Sequence, residues 1–251
     1  MRPALKWMVF CLLFGVLTLA SQLGGLALIA ALFFKRRVLV FLTAYALLSL
    51  SAIWIAPVVS NRVALPCFTD GPLKVQSWIY CALNRNYVSP EVKALLEDLA
   101  HATEKAYPGT QTLVLDGNFP FLDGFPLIPH LSHDDGGKVD LAFYYRDASG
   151  YRRGATRSPI GYFAFEDGPS TCPPKRLSLR WDLAALQPLW PDFAIEPNRT
   201  RFALAFLAAD PRTGKILLEP HLKARLGLAS SKIRFQGCRA ARHDDHIHLQ
   251  L

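Results

Sequence analysis

His130-Leu131-Ser132-His133-Asp134-Asp135-Gly136-Gly137-Lys138-Val139-Asp140 decides how the chain is read, together with His243-Asp244-Asp245-His246-Ile247-His248 more than a hundred residues later. These two stretches hold five of the seven histidines. Gly136-Gly137 permits a tight reversal, so His133 at the end of a loop and Asp140 on the following strand can converge. Residues 138–146 alternate as a strand, with Asp140, Ala142 and Tyr144 on one face and Val139, Leu141 and Phe143 on the other. Residues 246–251 alternate ring and aliphatic side chains as a closing strand does. Residues two apart on a strand share a side, so His246 and His248 point the same way and Ile247 the other.

Catalytic zinc usually takes three protein ligands drawn from neutral imidazole and carboxylate, and leaves a fourth position for water. His133, Asp140 and one imidazole of the His246/His248 pair meet that number, and an imidazole is left over. Zinc lowers the pKa of bound water to about 7 and polarises a peptide carbonyl. Histidine has the unperturbed pKa suited to shuttling the proton that such chemistry must move. Ordinary surface histidines and a structural zinc are the competing readings; structural sites favour four ligands rich in cysteine.

Outward from these stretches, residues 61–251 read as a small globular unit. Ser89-Pro90 opens a helix to about Ala106, with Val92, Leu95, Leu96 and Leu99 at helical spacing, and Pro108-Gly109 ends it. Residues 112–115 read as a short buried strand and residues 116–129 as a long loop. The Phe-rich segments 161–165 and 202–207 are further strand candidates, and 217–228 is a second helix that Pro220 restricts to starting near Glu219. The expected fold class is α+β, a small mainly antiparallel sheet with flanking helices, preceded by two transmembrane helices.

The chain has 251 residues, 51% of them hydrophobic, with a net charge of +8. Residues 1–60 carry Arg2, Lys6, Lys35, Arg36 and Arg37 and no acid, which leaves +3 for residues 61–251. The basic balance is therefore a topology signal, and no Lys/Arg run interleaved with aromatics points to nucleic acid. Residues 8–34 and 38–59 are uncharged and long enough to span a bilayer, for which about 20 apolar residues suffice. Residues 1–60 are thus expected to be a membrane anchor, and residues 61–251 an extracytoplasmic domain that carries the candidate zinc site. A cleavable signal peptide has an apolar region of roughly 7–15 residues, far shorter than this one. The basic turn at Lys35–Arg37 belongs in the cytoplasm, which puts Met1 and residues 61–251 on the opposite side, although Arg2 and Lys6 pull the other way. Cys11 falls in the first span. The other four cysteines suit an oxidising compartment, with Cys67/Cys81 and Cys172/Cys238 the preferred pairing over free buried thiols.

The pattern His-x-Ser-His-x-x-Gly-x-x-Val-Asp over residues 130–140, followed by His-x-x-His-x-His over residues 243–248, resembles the penicillin-insensitive murein endopeptidases. These belong to a larger group of zinc peptidases that includes lysostaphin, the D-alanyl-D-alanine peptidases and the hedgehog signalling domain. The resemblance is close over the two stretches and looser from about residue 113 to 251; residues 1–90 do not share it. It implies that His133, Asp140 and His248 bind zinc. His246 becomes the catalytic base or transition-state partner, where carboxypeptidase relatives use glutamate, with His243 beside it. It also implies that His130, Ser132 and Asp245 touch the substrate or back up the ligands; Asp244 and Asp245 can accept hydrogen bonds from ligand imidazoles. The implied activity is a metallopeptidase (protease) hydrolysing D,D-amide bonds in peptidoglycan peptides. The expected form is a cross-link endopeptidase cutting D-alanyl to diaminopimelate bonds, with its domain in the periplasm and its anchor in the bacterial inner (cytoplasmic) membrane. A D,D-carboxypeptidase or dipeptidase is the near alternative. A non-catalytic membrane-tethered wall-binding module is the alternative of another class, and a zinc-scavenging protein is disfavoured because the first cluster lies beside a strand. The apparent double span and the loop 116–129 depart from the family pattern.

Overall fold

The computed structural model describes residues 3–173 and 179–251. The chain begins with α1 (Pro3–Ser21), α2 (Gly24–Leu32) and α3 (Arg37–Val59). The first apolar run is thus two helices, where a single one over residues 8–34 was expected. Gln22 takes a φ of +63°, and α2 folds back along α1. The approach is so close that a Cβ on Gly25 would lie 2.1 Å from Thr18 Oγ1 and 2.8 Å from Phe14 Cε2. Apolar length alone does not reveal such a reversal, because both arms are apolar. At about 1.5 Å per residue, α2 is too short to cross a bilayer. α1 and α3 are each long and apolar enough to do so. Most of their apolar side chains are uncovered, including Leu12, Leu47 and Val58.

Beyond the helices the order is β1 (Val63–Ala64), β2 (Leu73–Val75), α4 (Trp78–Ala82), β3 (Tyr87–Val88), α5 (Pro90–Ala106), β4 (Thr112–Val114), β5 (Lys138–Ala142), β6 (Tyr145–Asp147) and β7 (Gly150–Tyr151). It continues with β8 (Ala194–Ile195), α6 (Pro197–Ala209), β9 (Lys215–Leu217), α7 (Pro220–Arg225), β10 (Ile233–Arg234) and β11 (His246–Gln250). The central sheet has the order β10-β9-β11-β5-β4-β2. Its inner pairs β9/β11, β11/β5 and β5/β4 are antiparallel, while β10/β9 and β2/β4 at its edges are parallel. The fold is therefore mixed α and β, with a mixed sheet.

Alternation gives the central strands two different faces. Val139 and Leu141 of β5 and Ile247 and Leu249 of β11 join the main core, which also takes Val92, Leu95, Leu96 and Leu99 of α5 and Ala203, Leu204 and Leu207 of α6. Asp140, His246 and His248 take the opposite face. α5 starts as expected: Ser89 Oγ accepts from Val92 N at 3.2 Å, and Pro90 fills the first turn.

Three further expected elements differ. Residues 202–207 lie within a helix, because Glu196 accepts from Arg199 N, Pro197 starts the turn, and Thr200, Ala203, Leu204 and Leu207 are buried at helical spacing. Phe content alone misled the strand reading. Residues 161–165 form an irregular segment, with Phe163 at a φ of +64°. Residues 138–146 split between β5 and β6, which sit in separate sheets. The second helix, α7, does begin after Glu219. Cys67–Cys81 and Cys172–Cys238 are disulfides, and Cys11 is free.

Candidate metal centre

Strand pairing builds the centre. His248 of β11 stands opposite Asp140 of β5, and His246 stands opposite Ala142. Partners directly across a ladder share a face, so Asp140 and His248 meet. His133 arrives from the loop before β5. Its Nδ1 bonds Gly117 O at 2.8 Å, and a carbonyl can only accept, so Nδ1 carries the hydrogen and Nε2 presents its lone pair. Gly117 is needed for closeness, since a Cβ there would lie 2.8 Å from Tyr87 O. At the reversal Gly136 takes a φ of +83°. Buried Arg62 clamps the loop, donating to the carbonyls of Phe119, Phe121 and Asp134 and pairing with Asp123.

His133 Nε2, His248 Nδ1 and Asp140 Oδ1 form a small triangle. Its sides are 3.1 Å between the imidazoles, 2.8 Å from His248 to Asp140 and 3.3 Å from His133 to Asp140. Three acceptor atoms facing one buried point repel one another unless a cation or protons join them. Zinc at 2.0–2.1 Å from each of three tetrahedral ligands sets them about 3.4 Å apart, slightly wider than the triangle. The group could hold a metal ion, and its residues are all buried.

The other Asp140 oxygen is turned away from this point. Tyr162 donates to Asp140 Oδ2 at 2.7 Å, and His130 Nδ1 lies 3.3 Å from it and 3.1 Å from Asp116 Oδ2. Asp116 is gripped in turn by Arg85, whose Nε and Nη2 lie 2.6 and 2.8 Å from its two oxygens. Burial alone would raise the Asp140 pKa, but the charges of His133, His246 and His130 hold it well below the ordinary carboxylate value. Burial lowers and Asp140 raises the His133 pKa, with a net rise. The Tyr162 phenol is pushed well above its ordinary value by burial and by Asp140, so it stays a donor.

His246 lies one rung from His248, its Nε2 3.7 Å from Asp140 Oδ1. Asp245 Oδ1 holds its Nδ1 at 2.6 Å and Asp245 Oδ2 accepts from Phe163 N, so the ring cannot turn freely. Burial opposes charge on this ring, yet Asp140 and Asp245 together push its pKa up to about 9. His243 differs. Its ring centroid is 5.1 Å from that of His246 and 5.8 Å from that of His248, and its buried Nδ1 has no partner among the described residues. Burial, then the neighbouring His246 and His248, hold it well below the ordinary histidine value.

Seven of the nine residues singled out from sequence thus gather at one place: His130, His133, Asp140, His243, Asp245, His246 and His248. Ser132 does not join them; it is exposed and makes no side-chain hydrogen bond among the described residues. Asp244 pairs with Arg242, and Asp245 backs His246, so neither acid backs His133 or His248. Arg85, Asp116 and Tyr162 went unnoticed in the sequence. Asp116, just past the strand Thr112–Val114, was the one with a signal, since loop residues at strand ends often carry function. No protein-family model matches the chain, and no curated protein matches it.

Proposed function

We propose that the chain is a membrane-anchored zinc peptidase that hydrolyses D,D-amide bonds in peptidoglycan peptides, with cross-links as its substrate. The observation that carries this reading is the buried triangle of His133 Nε2, Asp140 Oδ1 and His248 Nδ1 with His246 and His243 against it. Two imidazoles and one carboxylate are a donor set that suits zinc and leaves a position open. Zinc there supplies a Lewis acid and lowers the pKa of bound water.

The chain's own residues supply the rest. Tyr162 and His130 hold Asp140 so that Oδ1 alone faces the centre. Gly117 fixes the His133 tautomer. Asp245 fixes His246 with Nε2 inward. His246, one rung from His248 on the same face, is placed to move a proton or to stabilise a developing oxyanion, the role that the resemblance implies. His243, kept neutral, offers an unpaired ring nitrogen to water or substrate. The D,D-substrate class rests on the resemblance of residues 130–140 and 243–248. Export is supported by the two disulfides and by the basic turn at Lys35–Arg37. The uncovered apolar sides of α1 and α3 support a membrane anchor; the inner membrane, with the domain in the periplasm, follows from the resemblance.

The test is the full chain in nanodiscs, assayed for bound zinc and incubated with defined cross-linked muropeptides with and without chelator. One zinc per chain and chelator-sensitive cleavage of the cross-link are expected. A zinc-loaded chain that leaves every muropeptide intact overturns the peptidase reading.

A further inference from the structure

The domain is not carried above its helices but lies along them. Tyr45 of α3 donates to Ala82 O at 2.6 Å, and Asn84 Nδ2 donates to Ser49 Oγ at 3.1 Å. Asn84 Nδ2 also reaches Ser21 O at the end of α1, and Gln22 exchanges two bonds of 2.8 Å with the Phe121 backbone. On the other side Val16, Leu19 and Ala20 of α1 line a cleft with Leu83, Arg85 and Ile128. Along a helix at about 1.5 Å per residue, Tyr45 is only about 12 Å from Arg37, and Val16 is about 7 Å short of the end of α1. If α1 and α3 cross a hydrocarbon layer about 30 Å thick, the groups packed beside Val16 and Tyr45 stand at the height of lipid, not above it.

The domain's surface there is apolar. Ile128 is 51% exposed and Leu131 is 62% exposed, on either side of His130. On α4, Ile79 lies one turn before Leu83, and Trp78, 67% exposed, one turn before Ala82. Tryptophan favours the membrane interface, where its ring sits at headgroup level. Of these residues Ile128, with Leu83, lines the cleft that Val16, Leu19 and Ala20 of α1 complete.

We infer that this face of the domain, with Ile128 and Leu131 at its edge, is seated in the same bilayer that the helices cross, so that the metal centre opens at the membrane surface. The occupant is lipid because height along the two helices, and not only apolar character, puts it there. The inference rests on the membrane reading above. It narrows the substrate to peptides held close to the bilayer, as a lipid-anchored peptide is. His130 ties the two together, since it sits between Ile128 and Leu131 and bonds both Asp116 and Asp140.

The test uses the full chain with Cys11→Ala in proteoliposomes, spin-labelled at one added cysteine: Ile128→Cys, Leu131→Cys, Leu47→Cys or Ala94→Cys. Collision with oxygen, which concentrates in lipid, is compared with collision with a water-soluble nickel chelate. Leu47 on α3 reports the membrane reading itself, and Ala94 on α5 reports water. Labels at 128 and 131 are expected to fall between 94 and 47, with oxygen access above that at 94 and nickel access below it. Nickel access at 128 and 131 equal to that at 94, with 47 still in lipid, overturns this inference alone. Shielding of 128 and 131 from both probes also overturns it, since that is the signature of a second copy or a protein partner. A label at 47 that behaves as at 94 overturns the membrane reading itself and this inference with it.

Discussion

His248 stands directly across the β11–β5 ladder from Asp140, its Nδ1 2.8 Å from Asp140 Oδ1, although 108 residues separate them in the chain. The register makes this contact. A slip of β11 by one residue would turn His248 into the core and set Ile247 on the site face opposite Asp140. The ladder therefore couples folding of the sheet to assembly of the centre.

Removing either member of that pair is expected to abolish zinc binding and hydrolysis together. His248→Ala and Asp140→Ala, purified as the full chain, should each lose the bound metal measured by elemental analysis. Asp140 is fully buried, so a neutral replacement also relieves a charge whose partners include His133 and His130. A His248→Ala chain that keeps its zinc would show that another histidine is the third ligand.

His246→Ala should behave differently, retaining zinc while losing most of its activity. General acid–base help is typically worth about 10²–10⁴ in rate, which sets the size of the expected fall in kcat. Zinc content and muropeptide turnover, measured side by side, separate the two histidines. Loss of metal from His246→Ala with metal retained in His248→Ala would mean that their roles are exchanged.

Tyr162→Phe removes only the hydroxyl, which donates to Asp140 Oδ2 and accepts from Asp116 N. Groups that orient a metal ligand commonly change affinity by about 10- to 100-fold, and a loss within that range is expected in zinc competition with a chromophoric chelator. The fold should survive, because the ring keeps its packing against His130 and His246. Unchanged zinc affinity would reduce Tyr162 to a packing role.

Asp116 makes stability depend on acid. Burial raises its pKa, but His130 and Arg85 outweigh this and lower it below the ordinary 3.8. A carboxylate so depressed contributes stability that is fully present above about pH 4 and is lost as pH falls through its folded value. Asp116→Asn leaves Arg85 buried without its partner, which costs about 3 kcal/mol at neutral pH. The variant's Tm, followed from about pH 6 down to about pH 3, should fall less steeply than that of the parent. Parallel curves would exclude Asp116 as the source of the acid dependence.

Much of the candidate centre was legible because its chemistry is concentrated in two short stretches. Histidines at 130, 133, 243, 246 and 248 with Asp140 identify a ligand set by residue type and spacing, and strand alternation puts His246 and His248 on one side before any coordinates are known. The α5 helix and the pairing of the four domain cysteines were legible too, the first from Ser89-Pro90 and a regular apolar spacing. Other features were not, for identifiable reasons. Phe202 and Phe206 belong to a helix whose start depends on Glu196 and Pro197, a local signal that aromatic content obscured. The fold-back at Gln22 is not carried by hydropathy, which holds no information about direction, although Ser21-Gln22 and Gly24-Gly25 interrupt the apolar run there. Tyr162, Asp116 and Arg85 reach the centre from segments that share no motif with it. The sequence by itself determined which atoms could bind a metal. Only the register of β11 on β5, and the packing of loop 116–134 beneath Arg62, decided that they meet, because side chains far apart in the chain are brought within 3 Å by strand pairing and burial rather than by their own chemistry.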